Sequence, residues 1–172
     1  MIKLNNIEKI GVLSDTHISG KGEGLPKEIF NIFKNTDIIL HAGDFTHPEV
    51  ITELESISSV IGVKGNMDSF DIRYSGEELI KINEKYLAAV CHGAGKHMTT
   101  KTRMHKKFLR DKPDIIIYGH THKAEIDNKE GIIMFNPGSP AAGFSGPSVG
   151  IINITDKGLK PEIIFFSEKN NN

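Results

Sequence analysis

Five short apolar runs, each breaking off into a polar cluster, limit the folds open to this chain more than any other feature. Lys9-Ile10-Gly11-Val12-Leu13-Ser14 stops at Asp15, and Asp37-Ile38-Ile39-Leu40-His41 runs into Ala42-Gly43-Asp44. Val60-Ile61-Gly62-Val63 runs into Lys64-Gly65-Asn66, Tyr86 to Cys91 ends at His92, and Asp114 to Tyr118 ends at Gly119-His120. Runs this short without alternation read as strands covered on both faces. Helical patterns lie between several of them. Pro26 precedes Ile29, Phe30, Ile32 and Phe33 on one apolar face, residues 48–56 follow Pro48, and Thr99 to Leu109 is a basic stretch. The first three strands therefore read as βαβ units. Glu78–Asn83 with Tyr86–Cys91, Ala124–Asp127 with Ile132–Phe135, and Val149–Ile154 with Ile163–Phe166 read as hairpins, the last turning at Asp156-Lys157-Gly158. Two mixed sheets packed together with helices outside are expected.

The polar residues at the strand ends carry the chemistry. They are Asp15 and His17, then Asp44, Asn66, His92, and His120 with His122. Sites in α/β sheets form at the carboxyl ends of strands, where residues far apart in sequence converge. Any one of these taken alone reads first as a cap or a turn former. Four histidines make poor caps, so the set reads as metal ligands. Carboxylate, imidazole and amide oxygen suit Mn, Fe, Zn or Ni. Two divalent ions against Asp15, Asp44 and a bridging hydroxide leave a site net positive by about one, a seat for a phosphate ester.

Taken in order, Asp15-Thr16-His17, Gly43-Asp44, Gly65-Asn66, His92-Gly93 and Gly119-His120-Thr121-His122 resemble the five motifs of the calcineurin-like metallophosphoesterase family. Small size and Asn136-Pro137-Gly138-Ser139 are most similar to its YfcE/MJ0936-type phosphodiesterase branch, over residues 9 to 154. The resemblance implies an α/β fold: a four-layer α/β/β/α sandwich of two mixed β-sheets flanked by helices. It implies two divalent metal ions, manganese first, with Asp15, His17, Asp44 and His122 on one. Asp44 bridges to the other, which Asn66, His92 and His120 complete. Asp44, Asn66 and His92 are the expected catalytic residues, Asn66 and His92 also contacting substrate. Two positions depart from the family pattern. Met67 stands where many members carry a histidine that protonates the leaving group, and Ala94 replaces a frequent second histidine.

The expected activity is metal-dependent hydrolysis of a small phosphate diester. A phosphomonoesterase, or a protein-binding scaffold on the same fold, is the alternative. Acidic and basic residues number 22 and 21, so no global field draws nucleic acid or an anionic membrane. No segment reads as a signal peptide or membrane span, and a lone Cys91 fits a reducing compartment, so a cytoplasmic protein is expected. Residues 1–167 read as one domain and 168–172 as a disordered tail; a homo-oligomer is left open. Gly20-Lys21-Gly22-Glu23-Gly24 lacks a P-loop's ending and reads as a flexible loop. The basic residues from Lys96 to Lys112 read as a solvated face or as a lip guiding phosphorylated substrates, with His97 and His105 facing solvent. His41 reads as a core histidine or an orienter of Asp44, and Asn136-Pro137-Gly138-Ser139 as a tight turn or part of the site rim.

Overall fold

A strand that is apolar on both faces needs a layer on each side, and the computed structural model supplies both. It describes residues 1–18, 24–141 and 146–167. The glycine-rich loop after Ile18 and the Asn-rich tail, read above as flexible and disordered, fall outside the described residues apart from Gly24. The elements are β1 (Ile2–Leu4), β2 (Lys9–Leu13), α1 (Lys27–Phe33), β3 (Ile38–His41), α2 (Pro48–Glu55), β4 (Val60–Gly62), β5 (Glu77–Ile82) and β6 (Tyr86–Cys91). They continue with α3 (His97–Phe108), β7 (Ile115–Tyr118), β8 (Glu125–Lys129), β9 (Ile132–Asn136), β10 (Ser148–Thr155) and β11 (Gly158–Phe165). One sheet has the order β11-β10-β2-β3-β4 and the other β1-β5-β6-β7-β9-β8. Both are mixed. β2, β3 and β4 are parallel, as are β6, β7 and β9, while the three hairpins are antiparallel.

Side-chain parity builds the four layers. Ile10, Val12, Ile38 and Leu40 from one sheet meet Ile80, Ala88, Val90, Ile115, Ile117 and Phe135 from the other in a buried core between the sheets. The next residue along each strand points the opposite way. Leu13, Ile39, Val149 and Ile151 pack against Ile29 and Phe33 of α1 and Val50 and Leu54 of α2. Ala89, Cys91, Ile116, Tyr118 and Met134 pack against Met104 and Phe108 of α3. This is the expected α/β/β/α sandwich.

Two local differences have physical causes. β1 has only three residues and forms the edge of its sheet, parallel to β5, so its pattern is too short to read by periodicity. β11 starts at Gly158, directly after the turn, rather than at Ile163. Pro161 sits inside it, which an edge strand tolerates because the missing N–H can face away from the ladder.

Candidate metal centre

Strand ends from both sheets meet at one edge. β2, β3 and β4 lead to Asp15, Asp44 and Asn66, while β6 and β7 lead to His92 and to His120 with His122. The chain turns sharply there. Asp15, His17, Asp44, His120 and His122 all lie in the left-handed region, with φ of 54°, 43°, 58°, 71° and 54°. Each such residue costs about 1–2 kcal/mol, and Asp and His tolerate the region better than most side chains. Backbone bonds hold the turns: Asp15 N–H donates to Gly43 O at 2.9 Å, His17 N–H to Asp44 O at 3.3 Å and Gly119 N–H to His92 O at 3.1 Å. Strain concentrated in this way marks a functional edge.

Five of the seven candidate ligands form one cluster. Asp15, His17 and His122 can offer one atom each within 4.8 Å of one another, and so can Asp15, Asp44 and His92. His17 Nε2 and His122 Nε2 lie 3.1 Å apart, and His122 Nε2 is 3.2 Å from Asp15 Oδ1. Nitrogens bound about 2.1 Å from a shared ion would be separated by about 2.9–3.4 Å. Asp44 Oδ2 sits between the two groups, 3.1 Å from His92 Nε2 and 3.6 Å from His17 Nε2. Asn66 and His120 instead pair with each other, Oδ1 to Nδ1 at 3.0 Å, and His120 Nε2 donates to Gly95 O at 2.8 Å. They adjoin the cluster through the His120 ring, which stands edge-on to that of His92 at 5.3 Å.

The donor set fits a divalent metal. His92 Nδ1 is 2.8 Å from Ala42 O, so Nδ1 carries the proton and Nε2 is free to act as a ligand. That Nε2 is buried and has no hydrogen-bond partner among the described residues; its contact with Asp44 Oδ2 is close but misaligned. An orphaned buried imidazole nitrogen beside two carboxylates suits a bound cation. Burial alone would push the Asp15 carboxyl up, but contacts with His122 and His17 and the charge of His92 outweigh it and hold Asp15 well below the usual range. Burial likewise opposes protonation of His92, yet Asp44 and Asp15 raise its pKa, and Asp15 raises that of His122. Without metal both imidazoles therefore keep their protons to higher pH than an ordinary histidine. A metal must displace those protons, so its affinity is expected to rise with pH. Competition with a coloured chelator between about pH 6 and 8 should show up to about tenfold tighter binding per pH unit for each proton released. A flat profile would contradict this coupling.

Several side chains hold the candidate ligands in place without joining them. His41 is fully buried, and burial pushes its pKa down to about 3, so it is neutral. Its Nδ1 accepts from Gly43 N–H at 3.1 Å, which leaves Nε2–H to donate to Thr16 Oγ1 at 3.3 Å. It therefore ties the Asp15–His17 loop to the Asp44 loop while stacking on Phe45 at 3.5 Å. Both readings made of His41 hold together. Asp68 accepts from the N–H groups of Asp44, Thr46 and Gly65 at 3.1, 2.8 and 2.7 Å. A Cβ on Gly65 would collide with Asp44 Oδ1 and the Asp44 backbone nitrogen, so only glycine allows these loops to meet. Asn136 and Ser139 are fully buried, which places the Asn136–Ser139 turn behind the ligands rather than on a rim. Ser139 Oγ donates to Asp15 O at 2.7 Å, and Asn136 Nδ2 to Gly119 O at 3.2 Å.

The basic stretch needs correction. His97 is exposed, but His105 is 2 % exposed and packed beneath α3. Its position in the last turn follows the apolar stripe of Met104 and Phe108. Lys101 pairs with Glu125 and Asp127 at 2.7 Å each, and Lys107 with Glu77, so two of the basic residues are already paired. Cys91 is buried and its thiol is pushed up to about 12 by burial, which disfavours a reactive thiolate.

Strand-end carboxylates and imidazoles around a common centre, on two packed mixed sheets, define a metal-dependent hydrolase site. The profile of the calcineurin-like phosphoesterase superfamily domain matches residues 9–157. A probable metallophosphoesterase of Methanothermobacter thermautotrophicus is 36% identical over 157 residues, covering 90% of this chain and 91% of its own. Phosphodiesterase MJ0936 of Methanocaldococcus jannaschii is 30% identical over 171 residues, covering 91% and 98%. Among solved structures, a single-mutant form of Vps29 from Entamoeba histolytica superposes with a TM-score of 0.72 at 22% identity, covering 92% of this chain and 99% of that one, a likeness of fold alone. The chain belongs to the calcineurin-like metallophosphoesterase family, whose members use divalent metals. No helix among the described residues is long and apolar enough to cross a membrane.

Proposed function

We propose that residues 1–167 form one cytoplasmic metallophosphoesterase domain that hydrolyses phosphate diesters at a dinuclear centre, with manganese as the preferred metal. The observation that carries this is the double cluster: two groups of carboxylate and imidazole that share Asp15 and have Asp44 Oδ2 between them. Asp15, His17, Asp44 and His122 would hold one ion, and Asp44, Asn66, His92 and His120 the other. When bound, the ions supply Lewis acidity towards the phosphoryl oxygens and lower the pKa of the attacking water.

The chain's own residues do the rest. Buried Asp15 and Asp44 offset only part of the metal charge, which leaves an attractive seat for an anion. His92, fixed by Ala42 O, keeps one nitrogen aimed into the centre. Asn66 is exposed and His120 partly so, which supports an approach of the ester from their side; Asn66, with buried His92 behind it, would hold the ester. Met67 donates its backbone N–H to Asp44 Oδ1 at 2.7 Å and so orients that carboxylate. Its thioether is exposed and has no proton to give a leaving group. Esters with good leaving groups are favoured as a result, and the lack of a histidine there tilts the reading towards diesters.

With Mn²⁺ bound, bis-p-nitrophenyl phosphate is expected to turn over faster than p-nitrophenyl phosphate. The reverse order would make the protein a phosphomonoesterase. The fold shared with Vps29 keeps a scaffold reading in view, and metal counting separates it. About two ions per purified chain fit the enzyme, and none, together with no turnover of either ester, would leave the scaffold.

A further inference from the structure

A cavity of about 430 Å³ opens beside the His120–His122 loop. That size suits a small organic group. Tyr118 lies in its floor, almost fully buried, with its hydroxyl donating to Glu125 Oε2 at 3.1 Å. Thr121 forms a wall, and His97 and Met98 line the α3 side. Lys123 is exposed and has no ion-pair partner among the described residues. The cavity adjoins the candidate metal centre at two points. Thr121 lies between two candidate ligands, and the His97 ring stands edge-on to the His120 ring at 4.9 Å.

Resting on the phosphodiesterase reading above, we propose that this cavity is the subsite for one ester group of the substrate, and that the group is a planar, nucleoside-sized heteroaromatic one. The imidazole of His97 and the thioether of Met98 offer flat or polarisable faces to a ring. Glu125 supplies an acceptor and Lys123 a donor for ring heteroatoms. A lipid-like alkyl group fits poorly, because it would strip water from the Lys101–Glu125 pair without replacing the lost bonds. A second phosphate fits poorly too, since Glu125 and Asp127 already neutralise Lys101.

Two esters with the same leaving group test the subsite: thymidine 5′-(p-nitrophenyl) phosphate and methyl p-nitrophenyl phosphate, assayed with Mn²⁺-loaded full-length protein. The thymidine ester is expected to have a kcat/KM at least about tenfold higher. In the double variant Met98→Ala/Lys123→Ala the ratio is expected to fall towards one. The Met98 side chain is 98 % exposed and Lys123 is exposed, so neither change opens a core cavity. Methionine-methyl NMR gives a readout without turnover: free thymidine should move the Met98 signal, while methyl phosphate should not. Equal rates on the two esters, or a ratio untouched by the double variant, would overturn the subsite and leave the phosphodiesterase intact. If neither ester turns over yet thymidine moves the Met98 methyl, the phosphodiesterase reading falls, and the ester subsite with it, leaving the cavity as a binding site for a heteroaromatic ring. No turnover together with a still Met98 signal removes both.

Discussion

Asp44→Ala is expected to lower Mn²⁺-dependent turnover of bis-p-nitrophenyl phosphate by about a thousandfold or more and to reduce the metal retained per chain. The carboxylate does three things at once. Its Oδ2 faces both His92 and His17, at 3.1 and 3.6 Å, and its Oδ1 accepts the Met67 N–H at 2.7 Å. Its charge also offsets an ion that Asp15 alone would face. Removing it leaves His92 Nε2 buried with even less around it. Asp44→Asn keeps the shape and the bond from Met67 but loses the charge, so it should fall between the alanine variant and wild type in metal content. Element analysis of the purified proteins, alongside the rate, separates loss of metal from misfolding. An alanine variant that keeps wild-type turnover would refute the assignment of this cluster as the reaction centre.

The sequence was most readable where a physical rule leaves few options. Doubly apolar runs such as Ile115–Tyr118 need cover on both faces, so two sheets between helices followed directly. The strand-end placement of Asp15, Asp44 and His92 was equally legible, because parallel strands deliver their carboxyl ends to one edge. What stayed hidden depends on three-dimensional approach. Nothing in the spacing shows that Asn66 pairs with His120, or that Asp15 belongs to both clusters. His105 looked solvated in a run of lysines because a basic helix hides its narrow buried stripe. The Asn136–Ser139 turn looked like a surface feature, since only the fold reveals that its polar groups are spent on the backbone of Asp15 and Gly119. Asp68 is equally hidden, because nothing in its spacing shows that it accepts from three backbone N–H groups.

That last residue carries the second large effect. Asp68 receives three backbone N–H groups, from Gly65 and Asp44 at Oδ2 and from Thr46 at Oδ1. They belong to the two loops that present Asn66 and Asp44, so one carboxylate fixes the spacing between candidate ligands. Asp68→Ala leaves all three donors without it. Water can replace part of the loss at this half-buried position, so the expected cost is about 3 kcal/mol. For a chain of this length that corresponds to a fall of about 6–12 °C in Tm. Loosening the Asp44 loop should also weaken metal binding by about 10- to 100-fold. Asp68→Asn keeps one acceptor oxygen but turns an amide N–H₂ towards a backbone donor, so it should lose about half as much stability. Thermal unfolding of the metal-free proteins isolates the structural cost, and chelator competition then gives the effect on the centre. A Tm within about 2 °C of wild type for Asp68→Ala would show that the three short contacts do not hold the loops together.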